Sequence, residues 1–188
     1  MVRRKDLRKE KIIRSIELPD GVSASISSTV LTIKGKNGEA QRSLKQKNVS
    51  ITATDKKIVL ETRIGTKSDK KEIGSLTAHV KNMIRGVAQN HVYTLKICSG
   101  HFPMNVGLSG SRFTIKNFLG EKVPRVLELK KGATVKVEGE IIYVSSASKE
   151  TAGQVSADIE QLTRRPGFDT RIFQDGIYIT NKDGKQLK

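Results

Sequence analysis

One short phrase is written twice in this chain. Leu31-Thr32-Ile33-Lys34 returns as Phe113-Thr114-Ile115-Lys116, and both carry the apolar–polar alternation of a strand with one buried face. The echo extends beyond the phrase. Gly38-Glu39 reappears as Gly120-Glu121, Ile51 as Val135, Ile58 as Ile141 and Ile73 as Val155, at an offset of 82 to 84 residues. That interval is too long for a solenoid unit and suits a small domain. The chain therefore reads as one fold built twice, and function is to be sought where the copies differ.

Copy one opens with short β-type runs at 22–26, 29–33, 49–53 and 57–61. Turn residues at Gly35-Lys36-Asn37-Gly38 and Asp55-Lys56 argue for an antiparallel meander. Ile73, Leu76, Val80, Ile84 and Val87 then fall at spacings of three and four, one apolar stripe on a helix that Gly86 should end. Copy two repeats the plan with strands at 90–98, 112–116, 123–129, 134–137 and 141–145. A helix at 149–163 buries Val155, Ile159 and Leu162 and is stopped by Pro166-Gly167, and a last strand at 176–180 follows. Strand runs followed by one helix, twice, predict an α+β protein: a tandem duplication of a small domain, each copy an antiparallel β-sheet packed against one α-helix. The expected boundaries are a flexible basic arm at 1–14, domains at 15–89 and 90–182, and a polar tail at 183–188.

Charge narrows the partners. Thirty-five Lys and Arg against 19 Asp and Glu leave +16 at pH 7, a surface that repels itself and calls for a polyanion or an anionic membrane. No apolar run approaches the roughly 20 residues of a membrane span, and no apolar segment follows the basic start as a secretory signal would require. The single cysteine, Cys98, excludes an internal disulfide and suits a reducing cytosol.

Catalysis finds no foothold. Gly35/Gly38 and Gly107/Gly110 lack the Lys-Ser/Thr of a phosphate loop. Cys98 and His101, with His91 nearby, have two-residue CxxH spacing but no evident fourth metal ligand. No nucleophile–base pair and no pair of carboxylates stands out. The expectation is a protein with no enzymatic activity, no cofactor and no metal.

Nucleic-acid binding has several footholds. Arg164, Arg165 and Arg171 interleave with Phe168, Phe173 and Tyr178, ahead of Lys182, Lys185 and Lys188. Lys and Arg neutralise phosphates, while aromatic and guanidinium planes stack on unpaired bases. Phe173 and Tyr178 have a competing use as fillers of the second core. Copy one offers Arg63, Lys67, Lys70 and Lys71 where its last strand meets its helix, with a solvated face and phosphate contact equally open there. All eight aromatic residues lie at Tyr93 or later, so copy two is the better candidate for recognition.

Several phrases match a known family. Asn82-Met83-Ile84-Arg85-Gly86-Val87, His101-Phe102-Pro103-Met104, Asn117-Phe118-Leu119-Gly120-Glu121-Lys122, Ile159-Glu160-Gln161 and Arg171-Ile172-Phe173-Gln174-Asp175-Gly176-Ile177-Tyr178-Ile179 occur in its order. From about residue 16 to 180 the chain resembles the large-subunit ribosomal protein L-six family (L-nine in eukaryotic nomenclature), nearest its archaeal and eukaryotic branches. The resemblance implies a duplicated sheet-plus-helix fold and a structural, ribosomal-RNA-binding role in translation. It also implies that the second domain lies near the sarcin-ricin loop and the stalk base, beside other large-subunit proteins in the cytoplasm, without self-association. Carried over by motif, 164–182 becomes the main RNA-facing stretch, with Arg171 first among its contacts. Two features depart from the family pattern: the loop Arg165-Pro166-Gly167-Phe168-Asp169-Thr170 and the long basic start. The alternative is a free-standing nucleic-acid chaperone or architectural protein that binds DNA and RNA alike.

Overall fold

In the computed structural model, residues 11–27, 30–44, 48–54, 56–169 and 171–187 are described. The chain divides into two compact units, Met1–Gln89 and Asn90–Lys188. The first contains β1 (Ile13–Glu17), β2 (Ser23–Ser27), β3 (Val30–Gly35), β4 (Gly38–Ser43), β5 (Val49–Thr54), β6 (Lys57–Thr62) and α1 (Lys67–Ala88). The second contains β7 (His91–Cys98), β8 (Asn105–Ser109), β9 (Arg112–Lys116), β10 (Arg125–Glu128), β11 (Thr134–Glu138), β12 (Ile141–Ser146), α2 (Lys149–Leu162), β13 (Gly176–Lys182) and β14 (Lys185–Gln186).

The repeated phrase is the centre of a sheet in both units. β3 lies between β2 and β4, and β9 between β8 and β10. Leu31 and Ile33 in one, and Phe113 and Ile115 in the other, point inward with at most 1% exposure. Their period of two is that of a sheet with one dry face. The second sheets also correspond. β5-β6-β1 matches β11-β12-β7, all antiparallel, but the second unit continues through β13 and β14 to five strands. Each copy thus divides its strands between two sheets, and β13 with β14 is the principal addition to copy two.

The α1 stripe is buried throughout: Ile73, Leu76, Val80, Ile84 and Val87 are all under 9% exposed. At roughly 2 kcal/mol per buried aliphatic side chain it contributes on the order of 10 kcal/mol before ordering costs. Thr66 and Asp69 close a reciprocal capping box at its start. Its other end meets the β3–β4 hairpin, where Asn37 donates its backbone N–H to Val87 O (3.0 Å) and its side-chain amide to Ala88 O (2.9 Å). Gly35 permits that approach: a Cβ there would stand 2.9 Å from Val87 O. Gly86, expected to end the helix, is instead buried within its last turn, since the hairpin satisfies the terminal carbonyls. In the second unit Val155 and Ile159 of α2 pack into a core with Tyr93, Phe113 and Phe118.

Some expected boundaries need correction. Ile13 and Arg14, assigned to the basic arm, belong to β1, where Ile13 pairs with Glu61 and Arg14 with Leu60. Burial of Ile16 in the first core draws that segment into the sheet. Within the expected polar tail, Lys185 and Gln186 form β14 and hairpin onto β13. Residues 1–10 of the arm, and Lys188, lie outside the described residues. No helix among the described residues is long and apolar enough to cross a membrane.

Candidate nucleic-acid interface

The end of α2 requires a partner for its last carbonyls, and Arg125 of β10 supplies one. Its Nη1 donates to Leu162 O at 2.6 Å, while Nε and Nη2 grip Glu121 at 2.8 and 2.6 Å. The guanidinium also lies 4.4 Å from the centre of the Phe118 ring, a cation–π distance. The hydrogen bonds from Arg125 hold the Glu121 carboxyl below its usual range. Arg164 and Arg165, immediately beyond, are exposed and close no ion pair among the described residues, although the charge of Arg165 also helps to lower the Glu121 pKa.

The loop that carries them is tied down at its far end. Asp175 is buried and accepts the Gly100 N–H (2.6 Å), the His101 N–H (3.0 Å) and a short contact from His101 Nδ1. Burial pushes its pKa up, but these donors from His101 and Gly100 outweigh burial and leave it lowered. Ile177 donates its N–H to Thr163 Oγ1 (3.0 Å), and Ile179 donates to Glu160 Oε1 (3.1 Å). Side chains of α2 thereby satisfy an edge of β13 that would otherwise present bare donors. At Gly176 a Cβ would come within 3.3 Å of Thr163 Oγ1 and the Tyr178 ring, so the close fit between helix end and strand depends on glycine.

A ladder of planar groups runs along this loop. His101 stacks at a tilt on Phe173 (5.4 Å), and Phe173 meets Phe168 edge-on (4.9 Å). The Arg165 guanidinium covers the Phe168 ring at 4.2 Å. Neither Phe173 nor Tyr178 enters the second core cluster, where the sequence allowed them to go; both line a cavity of about 640 Å³ beside the loop. Core positions went instead to Tyr93, Phe113 and Phe118.

The other basic candidates fall at separate places. Arg171 is exposed but already engaged, with Nε and Nη2 on the Asp169 carboxylate at 3.1 and 2.8 Å. That contact lowers the pKa of Asp169 and raises that of Arg171. Lys182 stands directly opposite Lys185 in the β13–β14 hairpin. Six residues of strand, about 20 Å, separate Lys182 from the loop end at Gly176, so these lysines form a second patch. Arg63, Lys67, Lys70 and Lys71 are exposed around the start of α1, without acidic partners among the described residues.

Residue chemistry gives these positions meaning. Like charges opposite one another on a hairpin are destabilising, and cations at a helix N-terminus oppose its dipole. Both arrangements cost stability in the isolated protein and become favourable beside an anion. Arg164 and Arg165, by contrast, follow a helix C-terminus where a cation is favoured in any case. Among the described residues no cluster of three or more His, Cys, Asp or Glu is placed to hold a metal. Cys98 is half-buried, and His91, fully buried, contacts Asp183 at 2.9 Å to anchor the β13–β14 turn. Arg125, Asp175 and His101 build the site through contacts that are distant in sequence. The conjunction of His101 with Asp175 spans 74 positions and leaves no local signal.

Comparison with known proteins bears on these features. A family model described as Ribosomal protein L6 matches residues 18–90 and 102–176, one stretch for each copy of the fold. The large ribosomal subunit protein uL6 of Methanobrevibacter smithii is 42% identical over 172 residues, which cover 92% of this chain and 97% of the relative. Its counterpart in Methanococcus vannielii is 42% identical over 176 residues, 94% of this chain and 97% of the relative. That of Methanosarcina mazei is 41% identical over 173 residues, 92% and 98% respectively.

Proposed function

The chain belongs to the ribosomal protein L6 family, which is structural and non-enzymatic, and we propose that it is a constituent of the large ribosomal subunit that binds ribosomal RNA. Its place is in the cytoplasmic ribosome near the sarcin-ricin loop and the stalk base, among other large-subunit proteins and without self-association. The observation that carries an RNA-facing role is the Lys182–Lys185 pair. Two lysines face each other across a hairpin whose stability would be better served by almost any other pairing.

Three basic patches divide the work. Arg164 and Arg165 hold phosphates beside the clamped loop, with Phe168 supplying an apolar surface. Arg171 joins them only by sharing or exchanging its contact with Asp169. Lys182 and Lys185 form the second patch, and Arg63, Lys67, Lys70 and Lys71 form the third, on the first unit. Each phosphate neutralised contributes a roughly unit step to the salt dependence of binding, and specificity comes mainly from the shape of folded RNA.

Sedimentation of a tagged chain from cell extract tests the assignment. Co-migration with the large subunit, through a high-salt wash that strips loosely bound proteins, is expected. Migration with DNA or with small particles would refute it and favour the architectural alternative.

A further inference from the structure

The cavity beside the clamped loop has a chemistry that phosphate binding does not use. We infer that it is a receptor for a single unpaired nucleobase, turned out of the RNA into a site walled by Phe168, Phe173 and Tyr178. This inference rests on the RNA-binding reading above and specifies what its second-unit site takes.

Size and composition point to that occupant. About 640 Å³ is ample for a base, and lies within the roughly 300–1,000 Å³ of ordinary ligand sites. Four aromatic rings are in the lining, the buried Phe118 and the more accessible Phe168, Phe173 and Tyr178. Arg165 covers one face of Phe168, and the faces left open are surfaces on which any base can stack. Polar groups then discriminate between kinds of ligand. Glu160 and Asp175 line the cavity together with Arg164 and Arg165, and both carboxylates are already occupied by donors from the protein, so the lining has no net charge and suits a neutral heterocycle. The Gln161 side-chain amide is exposed and has no hydrogen-bond partner among the described residues. It presents a donor and an acceptor together, as the edge of a base requires. Burial, with Cys98, Asp175 and Glu160 nearby, raises the pKa of Tyr178 and keeps its phenol protonated as a further donor.

The arrangement around the opening matches the remainder of a nucleotide. Arg164 and Arg165 are also in the lining; neither closes an ion pair among the described residues, although Glu121 feels the charge of Arg165, and both suit the phosphates on either side of an inserted base. An apolar side chain from a protein partner would bury Gln161 and Tyr178 without satisfying them and would leave both arginines unanswered. One side of the cavity is built by the protein alone, since Asp175, Thr163 and Glu160 fix the loop's end and β13 against α2.

The test uses the full chain and two RNA duplexes, identical except that one carries a single bulged 2-aminopurine and the other an abasic bulge of equal charge. Deproteinised large-subunit ribosomal RNA serves as a third ligand. The base-bearing duplex should bind about tenfold more tightly, in line with one stacked base, and its 2-aminopurine emission should be quenched. Phe168→Ala, at a position exposed enough to leave the core intact, should abolish most of that difference. Gln161→Ala, on the solvent side of α2, should narrow the preference among bulged A, G, C and U. Equal affinity for both duplexes, with binding to ribosomal RNA retained, overturns the base receptor alone. Failure to bind any of the three RNAs overturns it together with the RNA-binding function.

Discussion

Replacing Arg125 with methionine keeps a long apolar stem over Phe118 and removes every directed contact of the guanidinium. Three losses add up. The doubled hydrogen bond to Glu121 joins side chains only 22% and 31% exposed, so solvent screens it partly and it contributes about 1 kcal/mol. The charged donor to Leu162 O, at 2.6 Å, contributes about 1.5 kcal/mol. The cation–π contact with Phe118 adds about 0.5 kcal/mol. A loss of about 3 kcal/mol should lower the melting temperature of a unit of this size by roughly 10–20 °C. Tyr93, Tyr143 and Tyr178 all lie in the second unit and the chain has no tryptophan, so tyrosine emission reports that unit selectively. Glu121→Gln is the companion variant. It leaves the Leu162 contact in place and should cost only about 1 kcal/mol. A double-mutant cycle then isolates the carboxylate's share. A shift below about 3 °C for Arg125→Met would refute the role assigned to this residue as the cap of α2.

Gly35→Ala should destabilise the first unit by about 1–3 kcal/mol through overpacking against Val87. Hydrogen exchange of α1 amides reads this directly, and unchanged protection would count against it. Replacing Arg164 and Arg165 together by alanine should flatten the slope of log affinity for ribosomal RNA against log salt by about two, while the tyrosine-monitored melting curve moves little. Lowering the pH from 5 to 3 should weaken the second unit. Glu121 and Asp175 have folded pKa values below their unfolded ones, so their stabilisation is present above the unfolded range near pH 4 and is lost as pH falls through the folded values. A urea midpoint by tyrosine emission that is the same at both pH values would contradict this.

The duplicated architecture was legible because its carriers are periodic. The strand phrase alternates and the α1 stripe recurs at three and four, and neither depends on distant residues. Four strands escaped for definite reasons. β4 offers a single buried apolar residue, Ala40, and β8 alternates but stays largely exposed. β1 is embedded in basic sequence, and β14 is two residues long. The site was legible as a basic, aromatic stretch but not as an arrangement. Arg171 stood out by composition, yet Asp169 two residues earlier engages it. The groups that shape the loop come from afar: Arg125 reaches 37 positions to Leu162 and His101 reaches 74 to Asp175. Such pairings follow from the meeting of β7, β10 and α2 in space, which no local pattern encodes.

The double anchoring of the 164–175 loop has an entropic meaning. A segment that must fold onto its target gives up backbone freedom at about 1–2 kcal/mol per residue when it binds. Here Thr163 and Asp175 have already fixed both ends of the loop within the protein. An RNA arriving at the second unit meets a loop whose two ends are already in place, so less ordering is left to the binding step. The three donors on Asp175 thus stabilise the fold and set the loop's end in place at the same time.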